Sequence, residues 1–328
     1  MWMPRLAPCL RMDHSRNRTE SETVRMGELY ALLSAASFGV AGAAVAKGAP
    51  EARGDNGVFL SIILTLSLSF LLWITFGIDL DTLGDKSALL IGLSYFAAAG
   101  VLATVLGRLT NFRSIALSGA IRSSVFRRMI PVFSTILAVV LLSERYAPLS
   151  VAGMILILSS IGLAMWERAP SIGSGTWARS PLQLRIGLLF GAVSAFCYAL
   201  AYVARKLAMD HLPEAAFGAF VGALTGVIWY LVASSVSTRY RRSLISVFKD
   251  AGSWQWLAAL GMSFGQILLF FALISAPVTV VAIIGSLEMF VGAYLAAFLF
   301  KSEPVPGRMM VLATMIATAG VAMVAFGT

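Results

Sequence analysis

The sequence of 328 residues is 59% hydrophobic and only 12% charged. Soluble domains carry about 25% charged residues, so this composition excludes an ordinary soluble domain. The net charge of +9 does not indicate a nucleic-acid-binding protein, because five arginines lie in the polar first 25 residues, where they can contact anionic lipid headgroups.

Ten apolar runs approach the length of about 20 residues that a helix needs to cross a bilayer. They show no strand-like alternation, and a helix satisfies all its own backbone polar groups inside the hydrocarbon. The sequence therefore predicts an all-α membrane protein with ten transmembrane helices, numbered here as the first to tenth spans. The runs lie near residues 27–47, 57–78, 88–117, 120–142, 150–166, 185–206, 215–236, 254–274, 278–300 and 308–327.

The chain divides into two units of five spans. A polar, basic tail at residues 1–26 precedes the first unit, 27–166, and a Gly-, Ser- and Pro-rich linker at 167–184 separates it from the second unit, 185–327. Because five is odd, the units must cross the membrane in opposite orientations, as an inverted repeat. We expect an integral multi-pass protein of the inner or plasma membrane, as a monomer or homodimer.

The distribution of Lys and Arg does not decide the orientation of the chain. With the N-terminus inside, nine of these residues lie in cytoplasmic segments and eleven on the opposite side. Arg205 and Lys206 are among the nine, because they close the sixth apolar run. Arg113 and Arg122, beside the tight turn between the third and fourth spans, are expected to reach the headgroups.

The two units also resemble each other in sequence. In each, an apolar run ends in Ser-Glu, at Glu144 and Glu303, and after a proline a second run closes on Gly-x-Ala-Met. Their openings agree as well, with SAASFGVAGAAVAK from Ser34 and SAFCYALAYVARK from Ser194. Many secondary transporters consist of such a duplicated unit, with the substrate site between the halves. Since Glu144 and Glu303 stand where an apolar run stops, we interpret them as helix-end residues that fix the turn.

Arginines in the third and fourth spans are the first candidates for a substrate site, since a charged group at membrane depth costs about 2.5–3.5 kcal/mol on insertion scales. Arg108 shares a helical face with Asn111, and Arg128 shares one with Pro131. Pro131 removes a backbone hydrogen bond and is expected to kink the fourth span. Guanidinium groups bind carboxylate or phosphate in a bidentate manner. The cavity candidates of the first unit, for which an internal salt bridge is the alternative, are Arg108, Asn111, Arg127 and Arg128.

The second unit has fewer polar groups at membrane depth. Glu288 shares its face with Gly285 and Gly292, so we expect it to point at another helix or a cavity. There it either pairs with an arginine of the fourth span or acts as a proton-coupling site. Gln266 and Tyr198 are further cavity candidates, for which an interhelical hydrogen bond and packing, respectively, are the alternatives.

The sequence lacks the motifs of other function classes. No GxxxxGK[ST] phosphate-binding loop occurs, so ATP is not the direct energy source, and neither HExxH nor GxSxG is present. With only two histidines, His14 and His211, we assign no catalytic residue, metal site or cofactor, and a membrane enzyme is disfavoured. The expected partners are the lipid bilayer and a small-molecule substrate, and no nucleic acid.

With these motifs the chain resembles the EamA-type ten-helix transporters of the drug/metabolite transporter superfamily. The likeness covers residues 27–327. The first unit follows the family pattern at Pro131-Val132-Phe133, Leu137-Ala138, Glu144-Arg145 and Gly153, with Ser143 in place of the usual glycine. The second unit departs from it, with Phe290 where the proline belongs and Lys301-Ser302-Glu303-Pro304 in place of Gly-Glu-Arg.

The resemblance implies a ten-helix bundle with both termini in the cytoplasm. Its central cavity would be lined mainly by the third, fourth, eighth and ninth helices, with contributions from the first and sixth. The implied function is a secondary transporter that works by alternating access and exports a small metabolite, which the arginines indicate to be anionic or zwitterionic. The alternative is a flippase or exchanger for a phosphate-headed lipid or phosphorylated metabolite.

Overall fold

The computed structural model describes residues 9–48, 57–77, 86–118, 128–167, 181–301 and 305–327. All regular structure in these ranges is helical. Eight of the described helices are long and apolar enough to cross a membrane. Two shorter apolar helices, Ile130–Leu142 and Pro148–Ala164, stand where the sequence predicts the fourth and fifth spans. The predicted fold class is therefore confirmed, although only eight of the ten predicted spans reach membrane length within the described ranges.

The helices follow the predicted order. The first begins at Cys9, inside the predicted tail, and its apolar part of membrane length is Arg25–Gly48. The third and ninth spans each combine α-helical and π-helical segments, and a short helix, Thr238–Ser246, connects the seventh and eighth spans. The spans are Cys9–Gly48; Val58–Phe76; Lys86–Gly100 with Val101–Gly107 and Arg108–Ser118; Ile130–Leu142; Pro148–Glu167; Pro181–His211; Ala215–Val236; Ser253–Ser275; Val278–Gly285 with Glu288–Tyr294 and Leu295–Leu299; and Arg308–Gly327.

The contacts between the halves have the pattern of a two-fold relation. The first span packs along the eighth, and the third packs along the sixth. The first span also contacts the ninth, and the sixth contacts the fourth. The second and seventh spans pack on each other, as do the fifth and tenth. If the two halves are exchanged, the first–eighth pair becomes the sixth–third pair, and the first–ninth pair becomes the sixth–fourth pair. The second–seventh and fifth–tenth pairs stay the same, as expected for an inverted repeat.

The serines that open the two repeated stretches make the same hydrogen bond in both halves. The Ser34 hydroxyl donates to the carbonyl oxygen of Gly265 over 2.7 Å, and the Ser194 hydroxyl donates to that of Gly107 over 2.6 Å. Each bond joins two antiparallel spans, the first to the eighth and the sixth to the third. An interhelical hydrogen bond of this kind satisfies a hydroxyl that has no water to bind in the hydrocarbon. The repeat seen in the sequence is thus also a repeat of tertiary contacts.

Small residues set the close approaches between spans. A Cβ added to Gly153 on the fifth span would lie 2.5 Å from the carbonyl oxygen of Gly320 on the tenth. A Cβ added to Gly218 on the seventh span would lie 2.5 Å from the ring of Phe96 on the third. Side chains at these glycines would push the helices apart, so the glycines serve packing.

Two glycines of the seventh span, Gly218 and Gly222, allow a stability prediction with an internal control. Gly218→Ala places a methyl group against the fully buried ring of Phe96, and we expect it to destabilise the protein by about 1–3 kcal/mol because the core is overpacked. Gly222→Ala is the matched control, since its Cβ would meet only Phe270 at an ordinary 3.8 Å. Apparent melting temperatures in detergent measure both. An equal melting temperature for the two variants would contradict the packing role of Gly218.

Candidate functional site

Arg108 and Gln266 directly follow the two glycines whose carbonyls accept the serine hydrogen bonds, so they occupy equivalent positions in the two halves. Both side chains are half-buried. The Nη1 atom of Arg108 is fully buried and has no hydrogen-bond partner among the described residues. A buried donor without a partner costs free energy. Arg108 therefore keeps a capacity to bind that the described part of the protein does not use.

The surroundings of Arg108 place it between the third and sixth spans. A π-helical segment, Val101–Gly107, ends directly before it, and such segments are frequent at functional sites. The ring of Tyr198 on the sixth span packs at Gly107, where an added Cβ would lie 3.1 Å from its Cε2 atom. Asn111, one turn after Arg108, is half-buried and has a contact of its own. Arg108 and Tyr198 are thus brought close together by the structure.

The fourth and ninth spans each have a turn at an equivalent position, and in the ninth span this turn interrupts the helix. In the ninth span a two-residue turn at 286–287 separates helix Val278–Gly285 from helix Glu288–Tyr294. In the fourth span a turn at 128–129 precedes helix Ile130–Leu142. Discontinuous helices at the interface of two repeats are typical of transporter binding sites.

The two turns, at 128–129 and 286–287, differ in the residues that follow or support them. Pro131 lies in the first turn of its helix, where its missing N–H leaves no intrahelical bond unmade. The ninth span has Phe290 instead of the proline, and there the Ser286 hydroxyl donates to the carbonyl oxygen of Ile283 over 2.5 Å, in competition with the helical ladder. The kink expected at Pro131 stays a prediction, because residues 119–127 lie outside the described residues.

The two members of an ion pair lie at these turns, Arg128 within the first and Glu288 directly after the second. Nη1 of Arg128 lies 4.0 Å from Oε1 of Glu288, and the two side chains are 25% and 30% exposed. This contact is the one expected if Glu288 pairs with an arginine of the fourth span. The pair is long compared with a charge-assisted hydrogen bond of about 2.7–2.9 Å, so the two charges attract without a direct hydrogen bond between these atoms.

The face of the ninth span that carries Glu288 points into the bundle, as predicted. A Cβ added to Gly285 would lie 3.7 Å from the hydroxyl oxygen of Tyr202 on the sixth span. A Cβ added to Gly292 would lie 3.2 Å from the carbonyl oxygen of Gly39 on the first span. Glu288 is thus held on a face that packs against the first and sixth spans.

Glu144 caps the ninth span. Its Oε1 accepts a hydrogen bond from the N–H of Val278 over 2.8 Å, and its Oε2 accepts one from the N–H of Thr279 over 3.4 Å. The residue before this helix, Pro277, provides no side-chain cap. A carboxylate at a helix N-terminus satisfies free donors and interacts favourably with the helix dipole. The helix-end interpretation of Glu144 is right, but the helix that it fixes belongs to the other half.

Lys206 performs the opposite task at the end of the eighth span. Its Nζ donates to the carbonyl oxygens of Leu273 and Ile274 over 2.9 and 3.5 Å. A cation suits the negative C-terminal end of a helix. Glu144 and Lys206 therefore hold both sides of the short loop between the eighth and ninth spans, and we call this arrangement the loop clamp.

Tyr146, in the loop after the fourth span, supports the clamp. Its hydroxyl donates to the Oε2 atom of Glu144. Burial, reinforced by this hydrogen bond to Glu144, raises the pKa of Tyr146 well above its ordinary value. The phenol therefore stays protonated at neutral pH and keeps donating to the carboxylate.

Sequence reasoning missed Arg205, which it placed at the cytoplasmic end of the sixth span. The helix continues to His211, and the Arg205 side chain is buried inside the bundle with 7% exposure. The signal that could have found it is helical spacing, because Tyr198, Tyr202 and Arg205 share one face. Two predicted residues, Arg127 and Glu303, lie outside the described residues.

The comparisons with known proteins agree with this architecture. The model of the EamA-like transporter family matches residues 25–166, which confirms the resemblance predicted from the sequence. No curated protein matches the chain. One solved structure, described only as "Crystal structure of protein", is 15% identical and superposes with a TM-score of 0.64, over 92% of this chain and 96% of its own. The two proteins therefore share a fold that covers both halves of this chain.

The loop clamp predicts a stability effect for its carboxylate. Glu144→Gln keeps the size of the side chain and removes the charge at the helix end, so we expect a loss of about 0.3–2 kcal/mol. The apparent melting temperature in detergent should fall accordingly. Asp210→Asn, the same change at an exposed position of the sixth span, is the matched control and should leave the melting temperature unchanged. A melting temperature for Glu144→Gln equal to that of the parent would show that the cap does not stabilise this state.

The ion pair between Arg128 and Glu288 predicts that substitutions of these two residues have coupled effects on stability. We expect Glu288→Gln and Arg128→Gln each to destabilise the protein by about 1–3 kcal/mol, less than the cost of breaking a fully buried pair, because water reaches both groups. The double variant should lose less than the sum of the two.

Unfolding of all four proteins in detergent gives the coupling energy of this pair. If Glu288→Gln is as stable as the parent and abolishes only the pH dependence of transport, Glu288 is a proton-coupling site and the pair does not stabilise the protein.

Proposed function

Because residues 25–166 match the EamA-like transporter family, whose members are membrane transporters of small molecules, we propose that this chain is a secondary transporter of a small anionic or zwitterionic metabolite. It works by alternating access between its two repeats, residues 27–166 and 185–327. The observation that supports an anionic substrate is the buried Nη1 atom of Arg108, which has no partner among the described residues.

Alternating access is supported by a difference between the halves. The loop clamp fixes the loop where the eighth and ninth spans meet. Lys47 is the residue of the first repeat that aligns with Lys206, and it makes no hydrogen bond or ion pair among the described residues. Within the described residues the contact of Lys206 therefore has no counterpart at Lys47, and such a difference between related units suits a rocking mechanism.

The preference for an anion rests on the charges inside the bundle. Arg108 has a buried, unpartnered Nη1 atom, whereas Arg128 is paired at long range with Glu288. A guanidinium group recognises carboxylate and phosphate with two parallel hydrogen bonds. A zwitterionic substrate could in addition place its ammonium group near Glu288.

The energy source is a gradient, an exchange or simple facilitation, since the sequence has no phosphate-binding loop for ATP. Analogy with the family supports export across the inner or plasma membrane as the direction of transport.

The test is transport by the purified protein in liposomes of neutral lipid, with radiolabelled glutamate, succinate and glycerol 3-phosphate as probes. We expect at least one of them to be transported. Arg108→Lys keeps the charge but loses the bidentate geometry, so its transport should fall at least tenfold at equal protein content. Arg113→Lys is the matched control, because Arg113 is exposed at the end of the same span.

Two outcomes would contradict this proposal. Normal transport by Arg108→Lys would remove Arg108 from the site. Movement of a fluorescent phospholipid between leaflets, without transport of any of the three probes, would identify a lipid flippase in place of a metabolite transporter.

A further inference from the structure

Arg205 is a buried cation that makes no ion pair with a carboxylate among the described residues. Its side chain is 7% exposed, and its Nε atom is buried with no hydrogen-bond partner among the described residues. Among the described residues, its guanidinium group interacts with two aromatic rings. Its Cζ lies 4.9 Å from the ring centroid of Phe270 on the eighth span and 5.9 Å from that of Tyr202 on its own helix.

These rings hold the guanidinium group but do not use its donors. A cation over an aromatic face is attracted by the ring, whereas the five N–H groups of arginine lie in the guanidinium plane. Charged groups at membrane depth are rare and are normally paired or functional. Arg205 is therefore positioned by packing, and within the described residues no acceptor binds its guanidinium group, an arrangement that a bidentate anion would complete.

Its position connects Arg205 to the candidate site. Tyr198, Tyr202 and Arg205 follow one face of the sixth span. Tyr198 packs at Gly107, directly before Arg108, and the Tyr202 hydroxyl lies near Gly285 on the ninth span. The sixth span thus presents one polar stripe to residues of the third, eighth and ninth spans, and Arg205 is its cationic end.

Lys206, the next residue, does not share this role. Its ammonium group is bound to carbonyl oxygens at the end of the eighth span. Of the two adjacent cations, one is consumed by the loop clamp and the other is left for a ligand.

We propose that Arg205 binds the anionic group of the transported substrate, a carboxylate or a phosphate, at the guanidinium edge that Phe270 leaves free. The inference rests on the proposed transport function and adds a binding residue on the sixth span, close to the loop clamp.

The test is thermal unfolding of the full-length protein in nanodiscs of neutral lipid, titrated with sodium phosphate or sodium succinate against sodium chloride of equal ionic strength. A ligand that binds only the folded state raises the melting temperature in a saturable way. We expect one of the two anions to do so. Arg205→Lys should raise the half-maximal concentration at least tenfold, and Arg205→Gln should abolish the shift. Arg185→Gln, at an exposed arginine of the same helix, is the matched control and should leave the shift intact.

A second variant covers the case in which Arg205 substitutions fail to fold. Phe270→Leu keeps an apolar side chain but removes the ring that holds the guanidinium group, and we expect it to raise the half-maximal concentration as well. Nanodiscs with phosphatidylglycerol distinguish the source of the anion, because stabilisation by this lipid that is lost in Arg205→Gln would identify a lipid headgroup.

The outcomes separate this inference from the proposed function. If the parent transports an anion and Arg205→Gln shows the same anion-induced shift and the same transport, Arg205 is structural and the inference is overturned while the transporter stands. If no anion stabilises the parent and none is transported, the anionic substrate itself is wrong.

Discussion

The hydrocarbon core of a membrane contains no water, so every polar group there must find its partner within the protein. Helices meet this demand for the backbone, but their ends and their polar side chains need other partners. In this protein the other half supplies many of them. The Ser34 and Ser194 hydroxyls donate to carbonyl oxygens across the repeat boundary, and the Glu144 carboxylate accepts from the first N–H groups of the ninth span. The polar contacts therefore determine how the two repeats fit together.

These contacts are individually modest. A charge at a helix end contributes about 0.3–1 kcal/mol at an exposed site and up to about 2 kcal/mol in partly buried geometries. Two conformations that exchange in a protein differ by only a few kcal/mol, so two such contacts are of a size that can shift a conformational equilibrium. Lys206 and Glu144 act on the two ends of one short loop.

The departures from the family pattern have structural explanations. Ser143 and Lys301 both adopt left-handed backbone conformations, with φ of 53° and 49°, directly after the fourth and ninth spans. Glycine adopts this conformation without steric cost, which explains why the family pattern has a glycine at the position of Ser143.

Substituting phenylalanine for the proline does not remove the interruption of the ninth span. The turn at 286–287 persists, supported by the Ser286 hydroxyl. The turn of the ninth span thus does not need the proline, and Glu288, directly after this turn, lies 4.0 Å from Arg128.

Hydrophobic run length determined the helical membrane fold, and internal similarity determined the repeat, because both are local properties of the chain. Helical spacing also predicted the inward face of Glu288. Only the tertiary structure decided which helix Glu144 caps, since its partners, Val278 and Thr279, are more than 130 residues away in sequence. The same holds for Arg205, whose burial depends on Phe270 of the eighth span. Spacing along a chain places a side chain on a face, but only the packing of distant helices decides what that face meets.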